Sequence, residues 1–332
     1  MALLFLDGVD SYQTIGGALY GPTAPNIGYF ITQTASSGSQ VTVGEGTNTS
    51  SRAFAIARAT NGVSRVSKQI AIEGTKFVVG FAMKATARQT IFKITDVFEC
   101  LWPSTGKPAI GESAGPTIPI LNTWYYWEFV VDKTAKTVDV WLNGFKQFTG
   151  VFLADVNETI EFSWGWNEGG QAAVLYIDDI YVLDDTVVDA SSKIERIGPI
   201  EIATRLPTST IQTQWKATPT GKDGWKILSQ IPALQNEYVE SNVVGAQDLY
   251  ASSTAVTKEV LAVAVTALTA KTDIDDHAIA LVLSDGTTSK EGAPIDLSTQ
   301  YTYVQSVFES DPNGIGWTPA SASTANFGIK VK

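Results

Sequence analysis

Along most of the chain, apolar residues come in short runs rich in Val, Ile, Thr, Tyr, Phe and Trp, separated by Gly, Pro, Asn and Asp, and a sustained 3.6-residue apolar period is almost nowhere found. This pattern predicts an all-β protein. Its clearest block starts at Trp124, where alternation puts Tyr125, Trp127, Phe129 and Val131 on one face of a strand and Trp124, Tyr126, Glu128 and Val130 on the other. Both faces are largely apolar, which predicts a central strand. A polar turn at residues 132–136 follows, then Val138, Val140 and Leu142 alternate with Asp139 and Trp141, and Asn143-Gly144 supplies a two-residue hairpin turn into the next strand. The same patterning predicts strands at 67–72, 76–83, 89–94, 159–164 and 173–183.

Between 182 and 200 the pattern gives way to a polar stretch closed by Gly198-Pro199, which predicts two domains, residues 1–190 and 191–332. In the second, strands are predicted at 259–266, 277–283, 301–308 and 326–331, separated by Asp285-Gly286, Gly292-Ala293-Pro294 and a turn at 311–314. Strands at this spacing suggest a second antiparallel β-sandwich. Its residue pattern does not repeat that of the first domain, so two different sandwiches are expected.

Composition narrows the chemistry. One His, one Cys and two Met exclude multi-His or multi-Cys metal sites and catalysis that needs two histidines, and no cofactor is expected. The formal net charge is −11, and the basic residues form no cluster of five or more, so the electrostatic footprint of nucleic-acid binding is missing and no nucleic-acid partner is expected. The N-terminus has no basic n-region and only a short apolar run before Asp7, which points to synthesis in a cytoplasm without membrane insertion. Cys100 has no partner in the chain and is expected to be a small buried hydrophobe.

Candidate sites are few, and no catalytic residue is predicted. Retaining glycosidases need two carboxylates about 5 Å apart, which a strand supplies from acids at i and i+2 or i+4. Glu158 and Glu161 are three apart, and Glu128 has only Tyr126 and Val130 as same-face neighbours. Asp178 and Asp179 are weak calcium candidates, because adjacent strand residues point to opposite faces unless a bulge intervenes, and calcium takes six to eight oxygens. A structural role is the expectation for both, and a solvated strand end for Asp184 and Asp185. His277 follows Asp273, Asp275 and Asp276 without a nucleophile elbow and reads as a surface histidine. Trp164 and Trp166, with Trp102, fit a buried core, or alternatively a platform on which a sugar ring stacks.

Two resemblances follow from particular residues. Trp124, Trp127, Phe129 and Val131, then Val138, Val140-Trp141-Leu142-Asn143-Gly144, then Leu175-Tyr176-Ile177-Asp178-Asp179-Ile180-Tyr181 resemble the late strands of concanavalin A-like lectin/glucanase (laminin-G-like) jelly rolls. In the second half, Gly198-Pro199-Ile200-Glu201-Ile202, Leu206-Pro207, Gln214-Trp215, Gly245, Asp248-Leu249-Tyr250, Trp317-Thr318 and Phe327-Gly328-Ile329 resemble a C-terminal module of tail-region proteins of tailed bacteriophages, and Leu6-Asp7-Gly8-Val9-Asp10 fits the same group. The resemblance implies an N-terminal jelly-roll sandwich and a C-terminal attachment or assembly module. It also implies a non-enzymatic virion component, in a tail, collar, fibre or capsid surface, that partners other virion proteins and forms a homo-oligomer. The alternative it implies is an adhesin that contacts host glycans.

Overall fold

A computed structural model describes residues 2–19, 28–33, 38–48, 50–88, 90–166, 171–186 and 196–332. The chain divides into a first compact unit that ends at Ala203 and a second made mainly of Thr204–Lys332. The boundary expected at 190 falls outside the described residues, as does Gln89 of the predicted strand 89–94. Residues 196–203 belong to the first unit, and the geometry described below shows why.

The first unit contains β1 (Ala2–Asp7), β2 (Phe30–Gln33), β3 (Gln40–Glu45), β4 (Arg52–Arg58), β5 (Ser64–Ala71), β6 (Lys76–Ala85), β7 (Thr90–Ile94), β8 (Phe98–Leu101), β9 (Ala109–Ile110), β10 (Ser113–Ala114), β11 (Tyr125–Asp132), β12 (Thr137–Leu142), β13 (Phe145–Val151), β14 (Thr159–Trp166) and β15 (Ala173–Asp184). They form two antiparallel sheets. One runs β13-β12-β11-β6-β15-β4-β3, with β1 also on β15, and the other β10-β9-β8-β7-β14-β5-β2. This is the jelly-roll class of sandwich, and β11 sits between β12 and β6 as its two apolar faces require.

The two sheets meet across an aromatic layer. From the first sheet come Phe77, Phe81, Trp127 and Phe129, and from the second Phe92, Phe162 and Trp164, all almost fully buried. Phe92 is at the centre of this layer, with ring centroids 4.7 Å from Phe129, 5.4 Å from Phe81, 5.7 Å from Trp164 and 6.1 Å from Phe162. Burying each such side chain stabilises by roughly 1.5–3 kcal/mol, and offset or edge contacts add to that. The outer face of the first sheet is apolar too. Val78, Ala82, Tyr126, Tyr181 and Leu183 form a second cluster, on which Ile197 and Ile200 pack. A Cβ on Gly80 would lie 2.0 Å from the Tyr181 ring, so glycine lets that ring lie flat against the strand.

The second unit is a smaller all-β body. Its strands are β16 (Ser209–Gln212), β17 (Lys216–Thr218), β18 (Tyr238–Glu240), β19 (Gln247–Ala251), β20 (Val263–Thr269), β21 (Ala278–Ser284), β22 (Ser289–Glu291), β23 (Ile295–Asp296), β24 (Thr302–Phe308) and β25 (Asn326–Val331). The main sheet runs β16-β19-β25-β21-β22 with β23 on β21, and β20 pairs with β24. Val265 and Phe308 of that pair share one core with Ile279, Leu281 and Leu283 of β21. Two short helices, α1 (Gly224–Leu228) and α2 (Pro319–Thr324), escaped the strand pattern. For α2 the signal was present: Thr318 caps it, Pro319 opens it, and Ser321 completes a reciprocal capping box. Among the described residues no helix is long and apolar enough to cross a membrane.

Replacing Phe92→Ala should lower the unfolding free energy of the first unit by about 3–5 kcal/mol, read from the midpoint of denaturant unfolding followed by tryptophan fluorescence.

Candidate functional site

The sequence doublet Asp178-Asp179 lies where β15 departs from regular pairing. Against β6 the register shifts between Asp178 and Tyr181, and Asp179 takes φ +52, a left-handed conformation that aspartate tolerates better than most residues. The bulge cancels the alternation that would send the two carboxylates to opposite faces. Both then meet Thr47, in the turn between β3 and β4. The Thr47 N–H donates to Asp178 Oδ2 at 2.9 Å, and its hydroxyl donates to Asp179 Oδ2 at 3.0 Å. The Ser51 hydroxyl donates to Asp178 Oδ2 at 3.1 Å and the Asp179 N–H to Asp178 Oδ1 at 2.8 Å. The Ile202 N–H donates to Asp179 Oδ1 at 2.7 Å. A Cβ on Gly46 would fall 2.5 Å from Asp178 Oδ2, so this approach needs glycine.

Burial raises the proton affinity of both carboxyls. For Asp178 the desolvation effect is largest and the neighbouring Asp179 charge adds to it. For Asp179 burial again leads, with Glu201 and Asp10 adding repulsion against the opposing bonds from Ile202 and Thr47.

The segment from Arg196 to Ile202 crosses the outer face of the first sheet and is held at two points. At one end the Arg196 guanidinium pairs with Glu128 Oε2 at 2.6 Å and lies 3.7 Å over the Trp141 ring. The fully buried Glu128 also accepts the Tyr181 hydroxyl at 2.7 Å and the Gly198 N–H at 2.9 Å. At the other end Asp179 takes the Ile202 N–H. Between these points Ile197 and Ile200 bury their side chains, which is why the first unit extends to Ala203.

Beside this segment opens a hollow of about 260 Å³, lined by Thr47, Asn48, Ala82, Trp124, Tyr125, Tyr126, Asp179, Ile200 and Glu201. The small Ala82 side chain leaves the space. Half-buried Trp124 forms a wall, with Lys84 Nζ 5.0 Å from its ring and 4.4 Å from that of Tyr176. At the rim, the Asn48 side-chain amide donates to Glu201 Oε1 at 3.4 Å. Among the described residues the lining carries two carboxylates and no cation. The hollow can therefore offer a ring for stacking and donors and acceptors for hydroxyl groups.

The structure places the residues singled out in the sequence, and it corrects the open-platform alternative for the tryptophans and the solvated reading of Asp184. Trp164 and Trp166 cannot act as an open sugar platform, being 1% and 0% exposed. Phe162, Trp164 and Trp166 point inward on β14, where Trp164 meets Phe81 edge-on and the Trp166 Nε1–H donates to the Ile56 carbonyl at 2.9 Å. Trp102 is buried as well, its indole N–H bonded to the Gly106 carbonyl. The bulge that a shared ion at Asp178 and Asp179 would require is present, yet the oxygens facing Thr47, Ser51 and Ile202 accept hydrogen. Among the described residues no group of three or more His, Cys, Asp or Glu is placed to hold a metal. Asp184 is buried rather than solvated, accepting the Gly74 N–H at 3.1 Å and the Thr186 hydroxyl at 2.5 Å. His277 is an exposed residue 2.9 Å from Asp273 Oδ1, and Cys100 is buried, with its thiol proton held more tightly by burial. Glu161 bonds the Thr95 hydroxyl at 3.2 Å. Residues 47–48, 124, 126 and 201 escaped sequence reasoning as a site, because they are far apart in the chain; the aspartate doublet was their one signal.

The sheets and their bulged doublet define an all-β sandwich unit with a polar-rimmed aromatic hollow on the outer face of one sheet. No protein-family model matches the sequence, and no curated protein matches it. Among solved structures, the chain is similar to a sialidase at 13% identity over 48% of this chain and 17% of that one, with a TM-score of 0.38. It is similar to domain 4 of AbnA, a GH43 extracellular arabinanase from Geobacillus stearothermophilus in complex with arabinotriose, at 17% identity over 54% of this chain and 91% of that one, TM-score 0.37. A third likeness is to peanut lectin with a 9mer peptide, at 15% identity over 51% and 96%, TM-score 0.34. The chain thus spans less than a fifth of the sialidase. The ligands and reactions of those proteins do not carry over to this one.

Two predictions follow from the buried acids. Because burial raises the proton affinity of Asp178 and Asp179, these two groups bind more protons in the folded state than in the unfolded one between the ordinary aspartate range near about 4 and the value of about 7 to which Asp178 is pushed. Stability should therefore fall as pH rises through that window. Tm of the first unit, measured by calorimetry, is expected to be several degrees lower at pH 8 than at pH 5, and Asp178→Asn should flatten most of that slope. Separately, Arg196→Ala should cost about 2 kcal/mol, because Glu128 stays buried with only neutral donors, and should expose residues 196–203 to limited proteolysis.

Proposed function

We propose that the protein is a non-enzymatic component of a bacteriophage virion, made in the host cytoplasm and acting through protein–protein assembly, including contacts between copies of itself. The observation that carries the assembly reading is the set of exposed apolar residues on the edge strand of the first sheet. Among the described residues β13 pairs with β12 alone, and Phe145 and Val151 on it and Leu153 just after it are 74%, 62% and 88% exposed. A strand paired on one side only, with exposed apolar side chains, is a ready template for a partner, and isolated soluble proteins usually blunt such edges. The buried acids support the absence of catalysis, since Glu128, Asp178 and Asp179 are each occupied by several protein donors. Placement on a phage particle, in tail, collar, fibre or capsid surface, is supported by the residue resemblance in both halves of the chain.

A second reading, an adhesin that binds host glycans, no longer has Trp164 and Trp166 to support it, and has the hollow beside Trp124 in their place.

The protein should appear in mass spectra of purified particles, and Phe145→Asp should reduce its incorporation severalfold while shifting Tm of the isolated chain by no more than a degree or two. Absence of the unaltered chain from purified particles would end the virion reading.

A further inference from the structure

We propose that the hollow between Trp124 and Ile200 is a binding site for one neutral hexopyranose residue, either free or within a glycan. The inference deepens the adhesin reading and does not depend on where the protein is carried.

Size comes first. Pockets for drug-sized ligands run from roughly 300 to 1,000 Å³, so a hollow of about 260 Å³ suits a single ring with its substituents. Its lining is mixed in the way a pyranose is mixed. A sugar ring has an apolar face of C–H groups and an equatorial belt of hydroxyls. The hollow has the Trp124 ring and Ile200 as apolar walls over Ala82, and Asn48, Thr47 and Glu201 as a polar rim. Asn48 and Glu201 touch each other through a long 3.4 Å bond. An amide and a carboxylate so placed present donors and an acceptor to neighbouring hydroxyls, and a ligand could exchange that long contact for shorter ones.

Charge then selects among sugars. The Glu201 carboxylate stands at the rim of the hollow, whose lining holds no cation, and Lys84 sits over the Trp124 and Tyr176 rings. A uronic or sialic acid would bring a carboxylate towards Glu201 without a matching cation in the lining, and like-charge juxtaposition is a device for rejecting a wrong ligand. Neutral hexoses meet no such penalty. The half-buried ring and two rim side chains are few contacts for a ligand of this size, which implies weak binding to one residue and useful strength only when several copies engage a polymer.

The experiment is saturation-transfer NMR on the full chain with methyl glycosides of glucose, galactose, mannose, N-acetylglucosamine and glucuronic acid. At least one neutral glycoside should bind with Kd on the order of 1 mM, and glucuronide should not. Glu201→Gln and Asn48→Asp should each weaken binding about tenfold. Both are rim substitutions that keep the fold, and Asn48→Asp retains the Oδ1 that accepts the Ser50 and Ser51 N–H groups. The proposal is overturned if no neutral glycoside binds below about 100 mM, if binding survives both substitutions unchanged, or if the glucuronide binds as well as the neutral sugars. A failure here with binding to an extended glycan that survives both substitutions would remove this site while leaving the adhesin reading standing.

Discussion

Two adjacent aspartates, forced to the same side of a strand and then buried, organise the most distinctive part of this molecule. Taking a carboxylate out of water costs several kcal/mol unless donors replace the lost hydration, and here two are buried side by side. The donors that meet the cost come from distant parts of the chain: Thr47 and Ser51 from the turn after β3, and Ile202 from the segment that follows β15. Satisfying the doublet therefore pins both segments against the same sheet. The hollow beside Trp124 is the space left between those two pinned pieces and the small side chain of Ala82.

The second organising element is the fate of the aromatic residues. Nine tryptophans invite a search for a stacking surface, yet the sandwich takes up Trp127, Trp164 and Trp166 internally. Trp166 is fixed by its bond to the Ile56 carbonyl and by Arg58 stacked 4.9 Å from its ring. Trp124 escapes because it lies just before β11 begins, at the end of the run whose next outward residues, Tyr126 and Glu128, are covered by Tyr181 and by residues 197 to 200.

Much of this architecture was legible in the sequence, and the failures have physical causes. β11 to β13 stood out because alternation and Asn143-Gly144 agreed on both register and turn. β8, β9 and β10 did not, since strands of two to four residues broken by Pro103 and Gly106 give no period to measure. The orientation of Trp164 and Trp166 was in principle readable: Glu161 and Ser163 alternate with Phe162 and Trp164, which marks the tryptophan side as the inner one once the strand covers a core. The bulge at Asp179 was not readable. A doublet of aspartates in an apolar strand signals that something irregular happens there, but which residues supply the donors is set by tertiary contacts more than a hundred positions away. Composition spoke only to sites built from several histidines or cysteines, and it could not locate a candidate site made of one indole, one amide and one carboxylate.

The same geometry bears on what chemistry the acids beside the hollow could carry. A general acid must direct its proton at the substrate, and its partner carboxylate must stand about 5–5.5 Å away for retention or about 6.5–9.5 Å for inversion. Asp179 is 2% exposed, and both of its oxygens already face protein donors, Ile202 on one side and Thr47 on the other. Asp178 shares the Thr47 contact from behind it, so this second carboxylate lies away from the hollow and is not among the residues that line it. Glu201 is exposed at the rim and tied to Asn48. Burial that raises proton affinity can prepare a catalytic acid, but only when the proton has a path to the ligand; here the surrounding donors turn the same burial into rigidity. On the proposed binding reading, what remains for the hollow is recognition, supplied by the face of Trp124 and the polar pair at its edge.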